Sequence, residues 1–195
     1  MTEYQKISSF ADIVGHTEPG TLIAFDCDDT LLRITGDLSC KSWWSDKYAK
    51  YLEIHKCTKK AFEFTLSDWT DVATNSPCVH TDEDGLITLI EEARDAKNPV
   101  IIVTARNFNL IDLTHRQLTE LNIKMDDIGS DKDFDNYHNG IFYNTNKGTT
   151  LFNICSKLGI SNLIFIDDNY DNLCDVDKIC SPHLSSLQIY HASFD

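Results

Sequence analysis

The stretch TLIAFDCDDTLLR, residues 21–33, begins apolar and turns acidic in mid-course. Its opening, TLIAFD, does not alternate between apolar and polar residues. Such a run suits a strand buried on both faces, as in a parallel sheet covered by helices. It leads straight into Asp26, Asp28 and Asp29. Carboxylates at the edge of a core are costly unless something uses them. The same stretch contains two patterns of nucleophile. From Asp26 it reads D-x-D-x-T, ending at Thr30. From Cys27 it reads C-x5-R, ending at Arg33, the bare pattern of cysteine-based phosphatases.

Working outward, PVIIVTAR (99–106) and SNLIFIDD (161–168) are predicted as two further buried strands, and LQIYHAS (187–193) as a fourth. Helices are predicted over LITLIEEARDAKN (86–98), from Asn107 to about Leu121, and from Thr149 or Thr150 to Leu158 with Gly159 as the stop. Ser8 or Ser9 caps a short helix running to about Val14, with Asp12 in its first turn. YHNGIFYN (137–144) reads as a hairpin about Asn139-Gly140. Strands alternating with helices predict an α/β domain with a mainly parallel sheet.

One segment departs from this rhythm. Residues 38–80 have a helical pattern and carry Trp43, Trp44, Trp69, Tyr48, Tyr51, Phe62 and Phe64. The segment is too long for one crossover helix. It is therefore taken as a small helical insertion in a core formed by residues 1–37 and 81–195, its aromatics forming a small core of their own.

Composition narrows the class. A chain of 195 residues, 42% hydrophobic, can bury a substantial core. A net charge of −14 without a basic run argues against nucleic-acid and anionic-membrane partners. The polar start MTEYQKISSF has no signal-peptide apolar region, and no run reaches the roughly 18 apolar residues of a spanning helix. A soluble, cytoplasmic protein is expected. The seven cysteines, at 27, 40, 57, 78, 155, 174 and 180, form no C-x-x-C pair, so reduced thiols are expected rather than disulfides or structural zinc. The ending Ser193-Phe194-Asp195 is abrupt and allows for a further C-terminal targeting segment. Oligomeric state is not legible.

Ligands in open α/β sheets bind beyond the carboxyl ends of the strands. The predicted strand ends deliver Asp26, Asp28, Asp29 and Thr30; then Thr104, Ala105 and Arg106; then Asp167 and Asp168. Lys147 stands just before a helix in NKGTT. Converging carboxylates repel one another and any phosphate. A divalent cation resolves that conflict, and oxygen-only ligands favour Mg2+ over Zn2+. Thr30 and Thr104 can donate to phosphoryl oxygens, and Lys147 adds positive charge. Such an arrangement stabilises a transferring phosphoryl group.

FDCDDT, VTAR, NKG and FIDDNYDN, in that order, resemble the four motifs of the haloacid-dehalogenase superfamily. The resemblance implies a Rossmann-like three-layer core and a Mg2+-dependent phosphomonoester hydrolase. It implies Asp26 as the nucleophile that becomes an aspartyl-phosphate, and Asp28 as general acid, then base, with its backbone carbonyl on the metal. Thr104 and Lys147 match the phosphate-binding residues of the second and third motifs. Asp168 matches the direct metal ligand and Asp167 its neighbour, which meets the lysine or a metal-bound water. Asp171 or Asn172 is placed to support that loop. The second aspartate favours phosphatase or phosphotransferase over dehalogenase. Thr30, Thr104, Ala105, Arg106 and Lys147 are assigned to the substrate, although for Arg33 and Arg106 a surface ion pair is the commoner arrangement.

Cys27 is then judged against Asp26. In an extended strand residues 26 and 28 share a face and 27 points to the other. A cysteine phosphatase loop needs small residues and positive surroundings, whereas here Asp28, Asp29 and two leucines fill it. Cys27 is taken as a core residue. DKDFDN (131–136) mimics the start of an EF-hand loop, but position 12 is Phe142 instead of Glu, and it is taken as a solvated loop; TDEDG (81–85) is taken as a chance acidic cluster in a loop.

In the superfamily, an insertion between the first two motifs is the place of a C1-type cap that selects substrate. The hairpin before NKG and the strand LQIYHAS are similar to a branch from intracellular bacteria, some of whose members are secreted effector phosphatases, including on phosphotyrosine. That similarity implies a phosphoprotein substrate and, with export, a host cytoplasm. A small phosphorylated metabolite remains the rival substrate. A receiver-like phosphoryl-binding module remains the rival class.

Overall fold

The computed structural model describes residues 3–36, 42–130 and 132–194. The expected start of the insertion at Leu38, with Cys40, Asp131 and Asp195, lies outside the described residues. The chain is an α/β protein. Its seven-stranded sheet has the order β1 (Gln5–Ile7), β9 (Ser186–Ala192), β8 (Asn162–Asp167), β2 (Thr21–Phe25), β5 (Val100–Thr104), β7 (Ile141–Tyr143) and β6 (Tyr137–His138). Every neighbouring pair is parallel except β6–β7. The apolar runs thus form the middle of the sheet. The three-residue edge strand β1, with one buried residue, was too short to leave a sequence signal.

The strands are buried on both faces, as their unbroken apolar pattern predicts. Leu22, Ala24, Ile101, Val103, Leu163 and Phe165 pack with Leu151, Ile154, Leu173 and Val176 of helices α5 (Lys147–Leu158) and α6 (Tyr170–Cys180). The alternating residues face the other way. There Phe25 meets the ring of Phe10 edge-on at 5.4 Å. Phe10 belongs to a short 3-10 helix (Phe10–Ile13) that ends at Val14, as expected, and Ser9 caps it in a capping box with Asp12. Helix α3 (Glu83–Asp95) packs against this short helix.

Helix α3 starts earlier than predicted because TDEDG is not a chance acidic cluster in a loop but the start of the helix. Asp82 caps the helix on Gly85 N and also accepts from Ser9 Oγ and Phe10 N, both at 2.7 Å. Asn107 caps a second 3-10 helix (Phe108–Leu110) that leads into α4 (Ile111–Glu120). The predicted hairpin turn is present, with Asn139 and Gly140 both at positive φ (46° and 82°), as a type I′ turn requires. Helix α5 ends at Gly159 as predicted but begins at Lys147, so the lysine sits inside its first turn rather than before it. In the EF-hand look-alike, Asp133 accepts from Ser130 N and Oγ and pairs with Lys157, which gives that carboxylate a local structural role.

The chain divides into two compact units, residues 1–31 with 80–195, and residues 32–79. The smaller one begins six residues before the predicted boundary. It contains α1 (Trp43–His55) and α2 (Thr58–Asn75), and β3 (Leu32–Ile34), which pairs with β4 (Cys78–His80). Arg33 lies in β3. Among the described residues of this unit no aromatic side chain is buried, so the expected aromatic core is not closed off from solvent. Helix α1 buries no residue, α2 buries only Ala61, Thr65 and Ala73, and Phe62 and Phe64 stay 50% and 44% exposed. The rings contact one another between the two helices: Trp44 with Phe62, and Phe64 with both Tyr51 and His55.

Candidate functional site

All the site residues chosen from sequence belong to the larger unit, and the strand order explains how they meet. Strand β2 lies between β8 and β5, so the segments leaving their carboxyl ends are neighbours. Strand β2 ends at Phe25, and Asp26 N donates to Ile166 O of β8 at 2.9 Å. The chain then turns tightly. Asp29 adopts positive φ (57°), a conformation Asp tolerates better than most residues, and Leu31 N returns to Cys27 O at 3.0 Å.

Two charged groups emerge from this turn. In the first, Lys147 reaches Asp26 Oδ1 and lies 2.7 Å from Asp167 Oδ2. All three are buried, Lys147 to within 1% of full burial and Asp26 to 7%. Asp167 also accepts from Asn169 N at 2.8 Å and from Asn172 Nδ2 at 3.0 Å, so Asn172 rather than Asp171 supports this carboxylate. Gly148 allows the lysine's helix to come this close to α6, since a Cβ there would stand 2.6 Å from Asp175 O. Carboxylate oxygens of Asp26, Asp167 and the partly exposed Asp168 lie within 4.8 Å of one another, the spread expected of ligands to one cation.

Three carboxylates face one ammonium here, an excess of negative charge. Burial pushes the Asp26 carboxyl up to about 8; Lys147 opposes that push, while Asp167 and Asp28 add to it. Burial alone would lower the Lys147 pKa, but Asp26 and Asp167 outweigh it and hold the ammonium above its ordinary value. The donor set fits a hard divalent cation of the Mg2+ kind, with only carboxylate oxygens and surplus charge to neutralise.

The second group is Asp28 with Arg106. Nε and Nη2 of Arg106 fork onto Oδ2 and Oδ1 of Asp28 at 2.8 and 2.7 Å, and Nη1 reaches Thr114 Oγ1 and Gln117 Oε1 of α4 at 3.1 and 2.8 Å. Arg106 is only 6% exposed, which corrects the expectation of a surface ion pair. The carboxylate of Asp28 stands outside the three-oxygen cluster, so only its backbone carbonyl remains for the metal role assigned to it.

Both threonine hydroxyls accept a backbone hydrogen bond and keep their own hydrogen to donate. Thr30 is fully buried and its hydroxyl accepts from Asp168 N at 3.1 Å, tying the first motif to the fourth. Thr104 is buried and accepts from Arg106 N at 3.2 Å, while Ala105 between them is exposed. Cys27 is fully buried, and burial, opposed by Arg106, drives its thiol pKa well above the ordinary range. The outcome matches the expectation for a different reason, because the strand stops before it. The other described cysteines are also free thiols.

Sequence reasoning missed Thr114, Gln117 and His191, whose Nε2 lies 2.9 Å from Asp168 O. The first two left a usable signal. They occupy the buried face of α4 beside Leu113 and Leu118, where the helical period calls for apolar residues.

Among the described residues no helix is long and apolar enough to cross a membrane. Residues 3–189 match the family described as "Protein of unknown function (DUF2608)". A Chlamydia pneumoniae protein whose name proposes an outer-membrane location is 25% identical over 194 residues, covering 92% of this chain and 73% of its own length.

Proposed function

We propose that this chain, which belongs to the DUF2608 family, is a Mg2+-dependent phosphomonoester hydrolase working through an aspartyl-phosphate on Asp26. The observation that carries the reading is a buried Asp26 at the end of a central strand, gripped by Lys147 and grouped with Asp167 and Asp168. The resemblance of the four motifs to haloacid-dehalogenase phosphatases points the same way.

Lys147 occupies Oδ1 of Asp26, and Oδ2 is the oxygen we assign as nucleophile. It attacks phosphorus as the bond from phosphorus to the leaving oxygen breaks, and Asp28 gives that oxygen a proton. Water then attacks the phosphorus of the phospho-aspartate and Asp28 takes the water's proton. The Asp26–phosphorus bond breaks and inorganic phosphate departs. Asp26, Asp167 and Asp168 would hold the Mg2+, which supplies positive charge against the phosphoryl oxygens. Lys147 orients Asp26, and Thr30 and Asn172 fix the loop that carries Asp167 and Asp168.

We assign a phosphorylated protein, with phosphotyrosine included, as the first substrate class to test and a small phosphorylated metabolite as the second. A cytoplasmic location, or a host cytoplasm after export, suits the free thiols. The decisive measurement is hydrolysis of an aryl phosphate by the purified chain. Asp26→Asn and chelation of divalent ions should each abolish it, and full activity in either case refutes the mechanism. A long-lived phosphate on Asp26 without turnover would instead favour the receiver-like class. A panel of phosphopeptides and metabolites separates the substrates.

A further inference from the structure

We infer that Arg106 is a positioning residue that holds Asp28 in place for its proton transfers, rather than a contact for the substrate's phosphoryl group. The inference rests on the phosphatase reading above and assigns a role which that reading leaves open.

The guanidinium is held from behind before it meets Asp28. Thr114 donates its own hydroxyl hydrogen to Leu110 O at 2.9 Å, so its oxygen is left to accept from Arg106 Nη1. Gln117 presents Oε1 to the same nitrogen at 2.8 Å. These two side chains, one helical turn apart on α4, fix the plane of the fork. Planar, bidentate recognition then fixes the plane and rotamer of the Asp28 carboxylate. Each of the three guanidinium nitrogens has a protein partner, and the group is almost wholly buried. These bonds commit four of the five guanidinium N–H groups, and at 6% exposure the fork presents little of itself to a substrate. Asp28, by contrast, keeps a third of its side chain exposed and is the end of this chain that a substrate can approach. One arm of the fork can keep one oxygen of Asp28 while the other oxygen carries the proton.

An acid or base works only within hydrogen-bond reach of its proton. Loss of Arg106 should therefore cost most where the leaving oxygen needs that proton. The test uses the full chain with Mg2+ and a series of aryl phosphates, from a dinitrophenyl ester, which leaves without protonation, to phenyl phosphate, which does not. kcat/KM is read because it reports the transfer to Asp26 alone. Arg106→Met is expected to lower it about 100-fold for phenyl phosphate and less than about 10-fold for the dinitrophenyl ester. Arg106→Lys, which cannot fork, should fall between. Gln117→Leu, a milder change for use if Arg106→Met does not fold, should show a smaller loss with the same selectivity. A uniform loss across the series would overturn the inference, because substrate contact and simple misfolding both predict it. If the wild-type chain cleaves none of the esters, the phosphatase reading fails, and a crystal structure of Arg106→Met or Gln117→Leu still decides the positioning role. A displaced Asp28 side chain supports it, and an Asp28 that keeps its place refutes it.

Discussion

Lys147 and Lys47 each hold an aspartate at almost the same distance, 2.7 Å to Asp167 and 2.8 Å to Asp68. Their surroundings differ completely. Lys147 is buried at the strand ends among carboxylates, whereas Lys47 lies in the helical insertion with 36% of its side chain exposed and Asp68 31% exposed. In the insertion, water screens the pair, Tyr51 shares Asp68, and the Lys47 ammonium lies 5.4 Å from the centroid of the Trp43 ring. In the core no solvent replaces a lost partner, so each charge depends on the others. The comparison shows that ion-pair geometry alone says little about importance. Burial decides it, and buried charge that cannot neutralise itself points to a site of chemistry.

Lys147→Met should give the largest change in stability. It leaves Asp26 and Asp167 buried without their cation, and breaking such a cluster costs about 3–5 kcal/mol. Urea unfolding in divalent-free buffer measures this, and a loss below about 1 kcal/mol would mean that the cluster is as screened as a surface pair.

A pH effect should come next. Burial raises Asp26 from an ordinary 3.8 to about 8, so the folded state holds its proton more tightly than the unfolded chain. This group's stabilisation is complete below its unfolded value and is lost as pH rises through about 8. Without divalent ions, the wild type should lose Tm relative to Asp26→Asn between pH 5 and 8, at about 2–4 °C per kcal/mol for a chain of this size. Mg2+ should recover Tm at pH 8 in the wild type and much less in Asp26→Asn. Parallel melting curves for the two proteins would contradict this account.

Lys47→Met should have the smallest effect, below about 1 kcal/mol and fading with added salt. A larger loss would show that the insertion relies on its ion pair more than its exposure implies.

Much of the site was legible because D-x-D-x-T, VTAR, NKG and IDD each follow an apolar run, or open a helix, within a few residues. That relation is local. Arg106 was misjudged because nothing near VTAR shows that α4 offers Thr114 and Gln117 behind it. The insertion's aromatics were misjudged for a related reason: helical spacing identifies a face, but only packing shows whether the face is covered. Asp82 looked like one more surface carboxylate because two of its partners, Ser9 and Phe10, lie more than 70 residues earlier.

The amino-acid order was enough to establish an α/β chain, its central strands, and the set of acidic and basic residues delivered to their ends. Strand periodicity, turn chemistry and the cost of leaving charge beside a core are all short-range effects. Tertiary structure alone decided which carboxylate each cation serves. Lys147 meets Asp26 across 121 positions and Arg106 meets Asp28 across 78. Those meetings depend on β2 lying between β8 and β5, an order that follows from how the buried faces pack together and not from the order of the residues along the chain.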